Sequence, residues 1–199
     1  SNESSGKQGH EIAEALSRLG IETTLITGPT NLVSNKDIKT KKIITASEMF
    51  QIVKKSLPVD IAVCAAAVTD FKPVYKSKSK LKKDNLRLKS LELQKNIDIV
   101  EFLSKNNKHR PKIVIGFAAE TENLDKNALS KLKQKNCDII IANDISKKDS
   151  GFNSDYNRVS IIDNSGKIKV VKKNKKSFIA NIIAEIILDK ILINDRSFN

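Results

Sequence analysis

The sequence predicts an α/β protein with a three-layer, Rossmann-like, mostly parallel sheet, a C-terminal β-hairpin and a closing helix. Helical and strand patterns alternate almost from the first residue, as in βα units around a parallel sheet. The apolar run from Val59 to Ala66 does not alternate with polar residues, which is typical of a strand covered on both faces. Near the end, extended segments at 158–162 and 167–171 flank Asp163-Asn164-Ser165-Gly166, a hairpin signal.

The first part of the chain predicts two helices and two extended segments before this buried strand. Apolar residues from Ile12 to Leu19 recur at helical spacing and predict a helix over about 8–20 that ends at Gly20. A strand over 22–27 and a short extended piece near 43–44 follow. Ser47 is the predicted N-cap of a helix that ends at about Leu57, before a proline.

The remaining elements continue the α/β alternation. Residues 72–85 are rich in Lys, Ser and Pro and predict an exposed loop. An extended segment near 86–93, a helix at 97–106, a strand at 113–117, a helix at 122–135 and a strand at 138–142 follow. Isoleucines spaced from Ile179 to Ile191 predict the closing amphipathic helix.

Length and composition favour one domain over residues 1–199, because 199 residues with 39% hydrophobic content bury one full core. No apolar run approaches the roughly 20 residues that span a bilayer, and no signal peptide opens the chain, so we expect a cytoplasmic protein without membrane contact. Cys64 and Cys137 have neither disulfide number nor metal-site spacing, and His10 and His109 are isolated. We therefore expect no transition-metal site.

The formal charge of +13 raises the possibility of a nucleic-acid-binding protein. Only five of the 36 basic residues are arginine, and the chain has no Trp and two Tyr. Basic and aromatic residues do not interleave as they do in proteins that stack single-stranded bases. We expect no nucleic-acid partner, and a basic nucleic-acid-binding domain remains a lesser alternative.

The first residues are a candidate phosphate loop. Ser4, Ser5, Gly6 and Lys7 precede the first helix, where small residues expose backbone N–H groups to phosphate oxygens. A capped helix start explains the same residues equally well. Because the chain opens at Ser1 directly before a helix, we expect the first strand and its glycine-rich turn to be missing.

Further candidates follow the predicted strands. Asp70 comes after a strand ending in Ala65, Ala66 and Ala67, where it would bind ribose hydroxyls or a metal, or simply form a turn. Lys80 and its neighbours Lys82 and Lys83 would neutralise a triphosphate, or be solvated loop residues. Gly116 and Phe117 end another strand, and Phe117 would cover a base or fill the core. Lys131 and Lys135 share one helix face, where they would bind phosphate together or be surface residues.

As an ordered set, these motifs closely resemble bacterial phosphopantothenate–cysteine ligase, the C-terminal half of the bifunctional coenzyme A biosynthesis flavoprotein. The resemblance spans nearly the whole chain and also includes segments 95–99, 142–144 and 151–155. Glu3 stands where the family commonly has His, and Ile97 where it usually has Pro.

The resemblance implies CTP-dependent ligation of 4′-phosphopantothenate with L-cysteine through an acyl-cytidylate, releasing pyrophosphate and CMP. It implies that Lys80 assists formation of the acyl-cytidylate and that Asn2 assists its conversion to the amide. The implied CTP-binding residues are Ala65, Ala66, Ala67, Asp70, Lys80, Gly116, Phe117, Lys131 and Lys135.

The family also implies Mg²⁺ with CTP, metal ligands that the sequence leaves unknown, and a homodimer. A flavin-dependent decarboxylase domain would lie upstream, so we expect no flavin in this chain. The main alternative is a Rossmann-type dinucleotide-dependent oxidoreductase, which would require Gly-x-Gly-x-x-Gly at the first βα turn. Only Gly6-x-x-Gly9 is present.

Overall fold

The computed structural model describes residues 4–75, 91–106, 108–146 and 154–196. Its helices are α1 (Lys7–Arg18), α2 (Ala46–Ser56), α3 (Ile99–Ser104), α4 (Leu124–Lys135) and α5 (Lys176–Arg196). Its strands are β1 (Thr24–Thr27), β2 (Lys39–Lys42), β3 (Ile61–Cys64), β4 (Phe71–Pro73), β5 (Leu93–Lys95), β6 (Ile113–Glu120), β7 (Ile139–Asp144), β8 (Tyr156–Asp163) and β9 (Ile168–Lys175).

The central sheet has five strands in the order β3-β6-β7-β8-β9. The first three strands are parallel, with Val63 opposite Ile115 and Ile115 opposite Ile139. The last two run antiparallel and form the predicted hairpin. Because parallel strands end on the same side of a sheet, the carboxyl ends of β3, β6 and β7 share one edge.

Helices cover both faces of this sheet, which confirms the predicted three layers. On one face, α1 and α5 pack over β6, β7 and β8 through a core that includes Ile12, Ile141 and Ile183. On the other, α3 and α4 pack through a second core that includes Leu103 and Leu132. Alternate residues of β6 and β7 enter the two cores, as the two-residue period of a strand requires.

Two further strand pairs lie beside the central sheet. β1 and β2 form a parallel pair, and β4 and β5 form an antiparallel pair. Among the described residues, neither pair is hydrogen-bonded to the five-stranded sheet. The parallel part of the fold is therefore divided between two sheets.

Several boundaries differ from the sequence predictions. Thr45, not Ser47, caps α2, because its hydroxyl accepts from the Glu48 N–H while the Glu48 side chain accepts from the Thr45 N–H. β2 lies at 39–42, before the predicted extended piece, and the predicted loop over 72–85 begins with two residues of β4. β6 continues to Glu120 because it pairs with β7 as far as Asp144.

Candidate functional site

One cavity of about 1490 Å³ lies beside the carboxyl end of β3. Its walls come from β1, β3, the start of α1, the loop after β3 and one side of α4. Nine of the residues predicted to bind nucleotide or phosphate line it: Ser4, Gly6, Ala65, Ala66, Ala67, Asp70, Phe117, Lys131 and Lys135. The fold therefore brings together groups that are up to 131 positions apart in the sequence.

The start of α1 forms one end of the cavity. Gly6 is the N-cap residue and has φ +72°, a left-handed conformation that L-residues with side chains rarely adopt. Gly9 lies against the loop after β3, because a Cβ there would stand 3.8 Å from the Ala65 Cβ. The first turn of α1 therefore packs beside the loop that follows β3.

The loop from Ala65 to Asp70 is tied to the segment before α3. The Asn96 side chain donates to the Thr69 carbonyl at 2.7 Å, and the Asn96 N–H donates to the Asp70 carbonyl at 2.8 Å. The Asp70 side chain is exposed at the cavity rim. The fold thus fixes the backbone of Asp70 and leaves its carboxylate toward solvent.

Asp70 differs from the other carboxylates that line the cavity. Glu22, Asp60 and Asp98 each form an ion pair with a lysine, whereas in the described part of the chain Asp70 has none. An exposed carboxylate at the rim suits a hard cation such as Mg²⁺, which prefers oxygen ligands and keeps several waters. The described residues hold no group of three His, Cys, Asp or Glu side chains that would form a metal site on its own.

Lys135 is held by Asp98 across the gap between α4 and α3. Its ammonium donates to Asp98 Oδ2 at 2.8 Å, while Asp98 Oδ1 accepts from the Glu101 N–H at 3.0 Å and caps α3. Burial alone would raise the pKa of Asp98. The hydrogen bonds from Lys135 and the backbone outweigh burial, so the pKa of Asp98 is lowered.

Lys131 is held by a different carboxylate, that of Glu120 at the end of β6. The ammonium lies 2.7 Å from Glu120 Oε1, and the Asn127 side chain donates to Oε2 at 3.2 Å. Lys131 and Lys135 share the cavity side of α4, as their spacing predicts, but each is paired separately. Neither Glu120 nor Asp98 was among the site residues predicted from the sequence.

Gly116 and Phe117 lie on opposite faces of β6. Gly116 is buried toward α3, where a Cβ would meet Val100 Cγ1 at 3.4 Å, and it is not among the described residues that line the cavity. Phe117 lines the cavity and is partly buried against the α1 and α5 core. Its position is consistent with both sequence interpretations, a base cover and a core residue.

Cys64 is the last residue of β3, one position before the alanine loop. Although the residue as a whole is partly exposed, burial of its thiol, with the Asp98 charge, raises the pKa to about 12. Burial also raises the pKa of Cys137. Both thiols are free; Cys137 lies in the core shared with α3 and α4, and Cys64 packs against it.

A second cluster of charges lies near the start of α1. Lys7 donates to Asp155 Oδ1 at 2.7 Å, so Lys7 is paired across the fold and does not line the cavity. Ser5 is also outside the lining, and its carbonyl accepts from the Thr30 hydroxyl. Lys176, which sequence analysis missed, is 3% exposed and lines the cavity, and burial lowers its pKa despite the nearby Asp155.

The two predicted catalytic residues, Asn2 and Lys80, lie outside the described residues, as do Lys82 and Lys83. Within the described ranges, no helix combines the length and apolar character needed to cross a membrane.

Comparison with known protein families decides the family. The model of the DNA/pantothenate metabolism flavoprotein C-terminal domain matches residues 1–191. The chain belongs to this family. It is 39% identical over 188 residues to the coenzyme A biosynthesis bifunctional protein CoaBC of Haemophilus influenzae, covering 94% of this chain and 46% of that protein. It is 41% identical over 192 residues to CoaBC of Borreliella burgdorferi, with 94% and 47% covered.

The flavoprotein C-terminal family assignment agrees with the fold. The crystal structure of the C-terminal domain of CoaBC matches with a TM-score of 0.77 and 31% identity, over 98% of this chain and 86% of that one. The chain spans about half the length of these CoaBC relatives. The resemblance to the ligase half of the bifunctional protein is therefore confirmed at the level of family and fold.

Proposed function

We propose that this chain is a phosphopantothenate–cysteine ligase of coenzyme A biosynthesis that uses CTP. The observation that carries the proposal is the gathering of Ala65–Ala67, Asp70, Phe117, Lys131 and Lys135 around one cavity. The proposal is supported by the similarity to CoaBC proteins, whose name places them in coenzyme A biosynthesis.

The first step of the proposed reaction activates a carboxylate. A carboxylate oxygen of 4′-phosphopantothenate attacks the α-phosphorus of CTP, and the bond to pyrophosphate breaks, giving an acyl-cytidylate. Cations beside the departing pyrophosphate stabilise the charge that develops. Lys80 has this role in the proposal, and Asp70 at the rim would hold the Mg²⁺ that accompanies CTP.

The second step forms the amide. The amine of cysteine attacks the acyl carbon, the acyl–oxygen bond breaks, and CMP leaves while the amine loses a proton. Asn2 would orient the acyl group or the amine without adding charge. Ser4 and Gly6, which precede α1, would supply backbone N–H groups to an anionic part of a substrate.

A reconstituted assay tests the proposal. The chain is incubated with CTP, Mg²⁺, 4′-phosphopantothenate and cysteine, and pyrophosphate and phosphopantothenoylcysteine are both measured. Lys80→Gln should abolish pyrophosphate release, whereas Asn2→Asp should permit release without amide formation. Glu101→Gln, which removes an ion pair with Lys105 away from the cavity, is the control. The proposal would be overturned if the unmodified chain formed neither product and did not bind CTP.

The homodimer and the upstream decarboxylase domain belong to the same proposal. Sedimentation of the chain at several concentrations tests the first. Pyrophosphate released only with CTP, and no hydride transfer to or from a nicotinamide cofactor, distinguishes the ligase from the oxidoreductase alternative.

A further inference from the structure

Glu120 is a buried carboxylate behind the wall of the cavity. It is 9% exposed and follows Ala118 on the face of β6 that packs under α4. Lys131 lines the cavity, whereas Glu120 is not among the described residues that do. The ion pair between them therefore joins a group that a ligand would touch to a group that it would not.

The environment of Glu120 requires a counter-ion. Removing a carboxylate from water costs several kcal/mol unless a charge and hydrogen bonds replace the water. Within the described ranges, Lys131 is the one cation at ion-pair distance from Glu120, and Asn127 supplies a hydrogen bond. The Asn127 amide also donates to the Glu122 carbonyl at 2.9 Å, which fixes its orientation.

The pair restrains a side chain that would otherwise be mobile. Lys131 is 42% exposed along its side chain, and a free lysine loses about 2 kcal/mol of rotamer entropy when it is fixed. Glu120 fixes the ammonium before any ligand arrives. The ammonium lies 2.7 Å from Oε1. Because an ammonium carries three N–H groups, its pairing with this oxygen leaves others for a ligand.

The charge of the pair indicates what kind of ligand atom it suits. Glu120 and Lys131 together are neutral, so the pair adds no net positive charge to the cavity. A phosphate that drew Lys131 away would leave a buried carboxylate without its cation, which is unfavourable. A neutral acceptor, such as a carbonyl of a base or a ribose hydroxyl, accepts a hydrogen bond and leaves the ion pair in place.

We propose that Glu120 is a positioning residue that holds Lys131 as a hydrogen-bond donor to the uncharged part, base or ribose, of the bound nucleotide. This inference rests on the proposed function for the identity of the ligand. The contact between Glu120 and Lys131 is independent of the proposed function.

Lysine acylation tests the contact without any nucleotide. A limiting amount of an acylating reagent is added, and modification is quantified by mass spectrometry in the unmodified chain and in Glu120→Gln. We expect acylation of Lys131 to rise severalfold in the variant. Lys126, exposed on the same helix, serves as the control and should not change. Equal acylation of Lys131 in the two proteins would overturn the positioning role.

Calorimetric titration with CTP and with CMP tests the ligand. Glu120→Gln should weaken both by about tenfold, equivalent to about 1.4 kcal/mol. In a Lys131→Met background, Glu120→Gln should change either affinity by less than about twofold, because it acts through Lys131. An equal loss in that background would show a purely structural role.

The comparison of CTP with CMP decides which part of the nucleotide Lys131 contacts. Lys131→Met should weaken the binding of both by the same factor. A much larger loss of affinity for CTP than for CMP would place Lys131 at the β- and γ-phosphates and overturn the proposed contact with the base or ribose. If the unmodified chain binds neither nucleotide, the proposed function fails and so does the nucleotide part of the inference, while the acylation result still decides the contact.

Discussion

Lys135 and Asp98 join α4 to the first turn of α3, with Lys135 Nζ 2.8 Å from Asp98 Oδ2. The same carboxylate caps α3, so one side chain both positions a cavity lysine and satisfies a helix N-terminus. These two roles are separable, because Asn caps a helix about as well as Asp but carries no charge.

Lys135→Met should raise the pKa of Asp98, because burial would then act against fewer hydrogen bonds. The pKa of Asp98 is lowered in the folded chain, so its contribution to the free energy of unfolding is present above the unfolded pKa and is lost as pH falls through the folded one. The variant should therefore lose less stability on acidification. NMR titration of the Asp98 carboxyl carbon measures the pKa of Asp98.

Asp98→Asn keeps the cap and should preserve α3. An unchanged Asp98 pKa in Lys135→Met would contradict the prediction.

His10 should make the protein less stable as the pH falls below about 6.5, the ordinary histidine value. The residue is 7% exposed on α1, and burial lowers its pKa, although Glu14 and Glu11 partly offset this. Because the unfolded chain then binds the proton more readily, stability is complete above the unfolded pKa and declines as pH falls toward the folded one.

Melting temperatures between pH 5 and 7.5 test the His10 prediction. The slope should be smaller in His10→Gln, which retains polar atoms toward Thr27 and Ser34. His109→Gln is the matched control, since His109 is exposed. Identical slopes in His10→Gln and the unmodified chain would show that His10 is not responsible.

Thr45→Ala should lower the free energy of unfolding by about 1 kcal/mol, the usual effect of losing an N-cap. The Thr45 hydroxyl accepts from the Glu48 N–H at 3.2 Å, and alanine provides no acceptor. Urea denaturation measures the change. Ser47→Ala, the position predicted from sequence, should be nearly neutral, and the reverse order of effects would refute the assigned cap.

Cys64 should react with iodoacetamide at pH 8 at least about tenfold more slowly than an unfolded cysteine, because the thiolate is the nucleophile and its pKa is raised to about 12. Peptide mapping after timed alkylation, with the urea-unfolded chain as reference, gives the ratio. Rapid labelling of Cys64 in the folded chain would contradict the buried thiol.

Local sequence patterns were sufficient for most of the fold. Gly20 ends α1 in a left-handed conformation as its position predicts, and Asp163–Gly166 forms the predicted hairpin turn. The N-cap of α2 was predicted wrongly at Ser47, although Thr45 and Glu48 have the spacing of a capping box. β2 could not be predicted from a local pattern, because Lys39–Lys42 has no alternation of apolar and polar residues and its extended form depends on pairing with β1.

The site was only partly predictable for a similar reason. Small residues after apolar strands identified Ala65–Ala67 and Asp70, and helical spacing placed Lys131 and Lys135 together. Their partners Glu120 and Asp98 lie 11 and 37 positions away, and only the packing of α4 against β6 and α3 brings them close. Such ion pairs are products of tertiary structure and leave no local signal.

The separation of β1 and β2 from the five-stranded sheet has a consequence for deuterium uptake. The two strands of four residues share a ladder with each other, and β2 is exposed along its whole length. A ladder with so little covering opens at a lower free energy than the interior strands β6 and β7. The amides of Leu25 and Ile26 should therefore exchange well before those of Ile115 and Ile141, so that this edge opens as a separate unit while the rest of the protein stays closed.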